Sequence, residues 1–171
     1  MPAASNSCTM RMTFADEPKP VSQSAITGTC ATPSAMLWAA AHELGSGSTA
    51  LEIGSFQGRS AILLARAMAG SDGHVVAVDP FVEDWKFGSP HTRDLFAANL
   101  DAAGVADRVE LLAEYSTTAR PRWDRPLDLL YIDGKHDYWT FTDDLLWAAH
   151  LPTGAPVIVS SPVDLVSLGQ D

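Results

Sequence analysis

One stretch, Leu51-Glu52-Ile53-Gly54-Ser55-Phe56-Gln57-Gly58-Arg59-Ser60, constrains the fold more than any other. The run Thr49 to Ile53 has the length and residue choice of a short buried strand, and Ser60 to Ala69, rich in Ala, Leu and Met, has helical character. Between them stand two glycines. A strand, a glycine turn and a helix together aim the first backbone N–H groups of the helix at a ligand. Gly54 lets the chain turn and lets a ligand come close to the backbone, which a Cβ would block. Gly58 lets the helix start close against the strand. The arrangement reads as a nucleotide-type cofactor site.

The rest of the chain alternates strand and helix. Pro33 to Leu44 reads as a helix with Thr32 as N-cap, proline at its first position and Gly45 past its end. His74 to Val78 is a buried strand with Asp79 at its tip, and Phe81 to Pro90 is a loop holding Trp85 and Phe87. Thr92 to Ala103 is a helix with Leu95, Phe96, Leu100 and Ala103 on one face. Arg108 to Ala113 is a third strand, and Glu114 to Pro126 a proline-broken loop with a short helix. Leu127 to Ile132 is a fourth strand, tipped by Asp133. Asp137 to His150 is a helix expected to bury Phe141, Leu145, Leu146 and Ala149, and Val157 to Val159 is a fifth strand. Right-handed crossovers at these intervals give a Rossmann-like α/β fold, a doubly wound, mostly parallel sheet with helices on both faces. Ligands of such sheets lie beyond the carboxyl ends of the strands, where Gly54, Asp79, Ala113 to Ser116, Asp133 and Ser160 fall.

Length and charge narrow the function. The chain of 171 residues suits one domain, expected over residues 26–171 after a loose Ser/Pro/Ala/Thr-rich arm over residues 1–25. A net charge of −10 repels a phosphate backbone, so no nucleic-acid partner is expected. No apolar run reaches the roughly 18 residues that span a bilayer, and the first residues lack a signal-peptide core, so the expected location is cytoplasmic with no membrane partner. Cys8 and Cys30 have no metal-ligand spacing and read as free thiols.

Which cofactor fits is decided by the turn. A dinucleotide site carries G-x-G-x-x-G, whose middle glycine admits a pyrophosphate; here bulky Phe56 stands in that place. The stretches Leu51 to Ser60, Val78-Asp79-Pro80-Phe81 and Leu129 to Tyr138, in that order at successive strand tips, instead resemble class I S-adenosylmethionine-dependent methyltransferases. Among these the chain is similar, over roughly residues 27 to 159, to small natural-product and sugar-tailoring enzymes of the macrocin O-methyltransferase and cephalosporin-pathway types. The resemblance implies S-adenosylmethionine as cofactor, with Glu52, Gly54, Ser55, Gly58 and Ser60 around its methionine part. It also implies that Asp79 accepts both ribose hydroxyls, and that Phe81 and the turn Glu114 to Ser116 border the adenine. Beside these roles stand plainer ones: a solvated strand-end acid for Asp79, a first-turn helix residue for Ser60.

The resemblance further implies methyl transfer to a hydroxyl oxygen of a small-molecule acceptor, with catalysis at Asp133 and His136. His136 is the natural general base, although a residue packing at a helix start is its plain alternative. Asp137 is equally suited to cap that helix. In many relatives the aspartate at this tip binds a divalent cation such as Mg²⁺, together with an acid after the fifth strand. Here that place reads Ser160-Ser161-Pro162. A hard cation is poorly held by Asp133 alone, which favours His136 as a metal-free base. Trp85, Phe87, Tyr115, Trp123, Tyr138 and Trp139 are candidates to clamp a ring or sugar, and equally candidates for the core. Class I relatives usually add an antiparallel pair of strands after the fifth; Pro162 to Asp171 is too short for it, as in a natural minimal form, a truncated form or a degenerate copy. The exposed sheet edge this leaves is expected to be covered in a homodimer. The rival readings are a non-catalytic or repurposed methyltransferase fold and, less well supported, a nicotinamide-dependent oxidoreductase.

Overall fold

The computed structural model describes residues 11–12, 32–82, 90–135 and 137–160. Cys8, Cys30, Trp85, Phe87, His136, most of the expected arm and everything from Ser161 onward lie outside the described residues. Six strands form one sheet: β1 (Arg11–Met12), β2 (Thr49–Ile53), β3 (His74–Val78), β4 (Val109–Leu112), β5 (Leu129–Ile132) and β6 (Val157–Val159). Their order is β1-β6-β5-β2-β3-β4. Strands β2 to β6 are mutually parallel, and β1 alone runs antiparallel, pairing Arg11 with Ile158 and Met12 with Val157. The doubly wound, mostly parallel sheet expected from the sequence is therefore present. The outer edge of β6, expected to be bare, carries the two-residue β1, drawn from within the segment expected to be a loose arm.

The helices are α1 (Pro33–His42), α2 (Arg59–Ala67), α3 (Pro90–Ala103), α4 (Ser116–Ala119) and α5 (Tyr138–Leu145). Thr32 caps α1 by accepting the Ala35 N–H at 3.3 Å, with Pro33 at the first position, as its sequence requires. Because side chains alternate across a strand, each buried strand feeds two cores. Ala50, Val75, Ala77, Leu129, Tyr131 and Ile158 face α1, α2 and α3, meeting Leu37, Leu64, Phe96 and Leu100. Leu51, Ile53, Val76, Val78, Leu130, Ile132 and Val157 face the other way, onto Ala119 and Trp147.

Two amphipathic faces differ from expectation. Leu95 of α3 is exposed, while Thr92, Phe96 and Leu100 are buried. In the last helical region α5 ends at Leu145 and continues as a 3₁₀ segment, Leu146–His150. The change from 3.6 to 3.0 residues per turn moves the buried side after Leu145, enclosing Trp147 and turning Leu146 and Ala149 outward; within α5 itself Asp144 is enclosed and Phe141 and Leu145 are half-buried. Among the described residues no helix is long and apolar enough to cross a membrane.

Candidate functional site

The carboxyl ends of β2, β3 and β5 converge on one point. Gly54, the first residue after β2, has φ 88° and donates its N–H to the Val78 carbonyl at 2.9 Å. A Cβ on it would lie 2.5 Å from the Asp133 carbonyl oxygen and 2.7 Å from the Gly134 Cα. Gly54 is thus required by the neighbouring chain after β5, a tighter constraint than the ligand approach suggested by sequence. Gly58 is the left-handed N-cap of α2, φ 84°, and a Cβ there would meet the Phe96 ring of α3 at 3.0 Å. Its smallness serves helix-on-helix contact rather than helix-on-strand. No side chain caps the α2 N-terminus, so its first-turn amides are left for a ligand or water.

Asp79 holds this turn in shape. Its Oδ2 accepts the N–H groups of Ser55 and Phe56 at 2.9 and 2.8 Å, and its Oδ1 accepts that of Phe81 at 2.7 Å. A carboxylate has about four acceptor positions, so one lone pair is left for another donor. The clamp explains why Phe56 and Phe81, both non-glycine, sit at φ 47° and 48°. Phe81 is fixed edge-on against Phe96, 5.7 Å between centroids, whereas Phe56 is exposed at the rim.

Glu52 lies two residues before Gly54, level with Ala77 of β3 and Tyr131 of β5. It is 0 % exposed, and neither carboxylate oxygen has a hydrogen-bond partner. Burial pushes its pKa up to about 7, moderated by the nearby Ser60 and Ser55 hydroxyls and reinforced by the negative charges of Asp133 and Asp79. Ser55 is itself buried with an unpartnered hydroxyl, and Ser60 is half-buried.

On the β5 side, Asp133 Oδ2 accepts the Tyr131 hydroxyl at 3.2 Å and Oδ1 accepts the Ser160 hydroxyl. Tyr131, enclosed beside Glu52, has its pKa raised by burial and then by the charges of Asp133 and Glu52. The residue after β6, where metal-using relatives carry an acid, is the neutral hydroxyl Ser160, and it spends its proton on Asp133. Among the described residues no three metal-ligating side chains converge. The described residues at this tip offer one carboxylate, Asp133, and two hydroxyls, Tyr131 and Ser160, a poor set for a hard divalent cation, which wants several anionic or carbonyl oxygens. Asp137 caps α5, its Oδ1 accepting the Thr140 N–H at 3.0 Å, and Lys135 pairs with it at 3.1 Å. That bond to the Thr140 amide, with Lys135 beside it, holds the Asp137 carboxyl below its ordinary range.

The turn expected to border the adenine makes two side-chain contacts of its own. Glu114 pairs outward with Arg122, and the buried Ser116 turns its hydroxyl inward to Asp144 of α5. Asp144 is 1 % exposed, its Oδ2 is unpartnered, and burial raises its pKa to about 6 despite the Ser116 hydrogen bond. The sequence reading missed Asp144; its signal was an acid three residues after Phe141 on what should be an apolar face. Of the candidate aromatics, Tyr115 and Trp139 are exposed at this end of the sheet. Trp123 belongs elsewhere, packed edge-on against Trp147 with the Arg125 guanidinium 4.1 Å over its ring.

Comparison with known proteins agrees with this geometry. A family model described as a methyltransferase domain matches residues 51–160. The catechol O-methyltransferase of Mycobacterium tuberculosis is 36% identical over 110 residues, which are 64% of this chain and 45% of that protein. The chain therefore spans less than half the length of this curated relative. The crystal structure of cofactor-bound Rv0187 from MTB superposes with a TM-score of 0.62 at 29% identity, covering 79% of this chain and 57% of that one. The SAH-bound Podospora anserina methyltransferase superposes with a TM-score of 0.60 at 19% identity, covering 74% and 50%, a likeness of fold. The chain belongs to the methyltransferase domain family, on the class I fold of S-adenosylmethionine-dependent methyltransferases.

Proposed function

We propose that this chain binds S-adenosylmethionine at the Gly54–Gly58 turn and transfers its methyl group to a hydroxyl oxygen of a small metabolite, a natural product or sugar. The observation that carries the reading is the turn itself: a glycine-bounded loop clamped by Asp79, an uncapped α2 N-terminus, and the unpartnered Glu52 carboxylate beneath. These suit the cofactor's parts. The α2 amides match its methionine carboxylate, the remaining Asp79 lone pair a ribose hydroxyl, and the anionic floor its positive charge. Gly54, Ser55, Gly58 and Ser60 would line the methionine part, and Phe81, Glu114 and Ser116 the adenine side. When bound, the cofactor supplies an electrophilic methyl carbon. Toward that carbon the chain's own residues would have to orient the acceptor hydroxyl and take up its proton.

His136, two positions after Gly134, is our candidate base, and Asp133, braced by Tyr131 and Ser160, our candidate for holding the acceptor or the base in place. The relative named as a catechol O-methyltransferase supports oxygen as the acceptor atom. The exposed Phe56, Tyr115 and Trp139 support an acceptor with apolar or ring surface. A homodimer in the cytoplasm completes the proposal, and light scattering tests its stoichiometry.

One observation favours a second reading, a methyltransferase fold that binds cofactor without turnover: Ser160 occupies the place of an acid and is committed to Asp133. Calorimetric titration with S-adenosylmethionine, S-adenosylhomocysteine and NAD on wild type and Asp79→Ala separates the alternatives. Binding of the two sulfur nucleotides alone, at roughly micromolar Kd and weakened in the variant, is the expected result. NAD binding in their place overturns it. Turnover in an acceptor screen, lost in His136→Ala with cofactor binding retained, decides between catalyst and binder.

A further inference from the structure

We infer that Glu52 is a specificity residue that distinguishes the cationic methyl donor from its neutral thioether product, its enclosed carboxylate serving as counter-charge to the sulfonium. The inference rests on the proposed use of S-adenosylmethionine and adds what the site does after transfer.

The placement carries the argument. Glu52 is the fourth residue of the central strand β2, wholly enclosed, two positions before the turn that the cofactor would occupy. Neither of its oxygens meets hydrogen-bond geometry with a partner, although the Ser60 and Ser55 hydroxyls lie near enough to favour its charged form. A carboxylate kept for stability alone is hydrogen-bonded or paired, and an apolar side chain fills such a place at lower cost. The groups that face it are the Ser55 hydroxyl from the turn, the Ser60 hydroxyl from α2, Tyr131 and Asp133 from β5 and its tip, and Asp79 beyond β3. Burial first, and then the negative charges of Asp133 and Asp79, oppose ionisation of Glu52 against the pull of the Ser60 and Ser55 hydroxyls, so its proton is held to about pH 7.

A positive charge seated over the turn reverses that balance and favours the ionised form. Transfer of the methyl group converts the sulfonium to a neutral thioether, because the S–C bonding pair remains on sulfur. Glu52 then faces no cation, takes back a proton from solvent, and holds the product less tightly. The device needs the low-dielectric enclosure seen here, since a solvated carboxylate would be screened from the difference.

The test is titration calorimetry of wild type and Glu52→Gln with S-adenosylmethionine and S-adenosylhomocysteine at pH 6 and pH 8, in buffers of differing ionisation heat. A group that ionises on binding from a pKa of about 7 raises affinity by about tenfold between those pH values and releases a fraction of a proton at pH 7. The amino group of both ligands titrates nearby, so the quantity read is the wild-type change minus the Glu52→Gln change. The expected result is a tenfold rise for S-adenosylmethionine, little for S-adenosylhomocysteine, and no difference between ligands in the variant. Equal pH dependence and equal proton release for both ligands in wild type overturns the inference, and that measurement needs no variant to fold. Binding of neither ligand at either pH overturns the proposed function, and the inference with it.

Discussion

The two ends of the sheet use charge in opposite ways. At the amino end, Asp128 Oδ2 accepts the Thr49 N–H at 2.8 Å, and Asp72 accepts the Ser46 hydroxyl and, at 2.6 Å, the Gly47 N–H. Arg108 Nη1 reaches the carbonyls of Met68, Ser71 and Gly73 at 3.4, 3.0 and 3.4 Å. Each of these charges ties one loop to another while touching water. At the carboxyl end, Glu52, Ser55 and one oxygen of Asp144 are enclosed without a partner at hydrogen-bond geometry, although the Ser60 and Ser55 hydroxyls lie near Glu52. Charge at the amino end is wholly taken up in holding loops together; at the carboxyl end Asp79 and Asp133 hold the turn and the strand tip, while Glu52 and Asp144 carry enclosed oxygens that the fold itself leaves unsatisfied.

Four variants break or sharpen that contrast. Gly54→Ala has the largest expected effect, because the added Cβ meets backbone atoms at 2.5 to 2.7 Å and φ is 88°. We expect a loss of about 4 kcal/mol or outright failure to fold. Gly45→Ala, with nothing within 4 Å, is the control in the same denaturant titration. Equal midpoints for the two would show that the carboxyl end is not crowded.

Glu52→Gln acts in the opposite direction. A folded pKa of about 7 lies above the ordinary 4.5, so the unfolded chain releases this proton first. The wild type is then steadily destabilised from about pH 4.5 to about pH 7 and level above that, by at most about 3 kcal/mol. The glutamine variant loses this decline and is the more stable protein at pH 8; a variant less stable at that pH would show the carboxylate to be a structural asset.

Asp128→Ala leaves the enclosed Thr49 N–H without its acceptor and is expected to cost about 1–2 kcal/mol by urea titration. Asp72→Asn is the smallest effect. The Ser46 hydroxyl and the Gly47 amide hold the Asp72 carboxyl below 3.8. Its support is therefore present above that pH and lost as the pH falls through the lowered value. The difference between wild type and variant should close in acid; a difference constant with pH would place the effect elsewhere than the charge.

Much of the frame was legible because it is written in local pattern. Thr49 to Ile53, His74 to Val78 and Val157 to Val159 are strands of the lengths their apolar runs announce, and Thr32-Pro33 starts its helix as capping chemistry demands. What escaped depends on partners distant in sequence. The Ser116–Asp144 bond joins residues 28 positions apart, so neither the turn nor the helix betrays it alone. The three amides on Asp79 come from two separate loops, and the sequence offered a role toward a ligand or a solvated strand-end acid, not this clamp. The need for glycine at positions 54 and 58 was readable; the neighbours that impose it, Asp133 and Phe96, were not. The outward turn of Leu146 and Ala149 follows from a helix changing its winding at Leu145, which a fixed 3.6 period cannot anticipate.

The short rung between Arg11–Met12 and Val157–Ile158 has a kinetic consequence. It joins the first and last strands of the sheet, so during synthesis β1 waits for its partner until nearly all the described chain has emerged. Closing so long a loop for a two-residue ladder is entropically costly, while β2, β3 and β4 can assemble beforehand from nearer segments. The edge of β6 is thus the last seam to shut and the first to open, and amide exchange at Val157, whose backbone faces β1, should outpace that at Ala50 and Leu51 in the centre of the sheet.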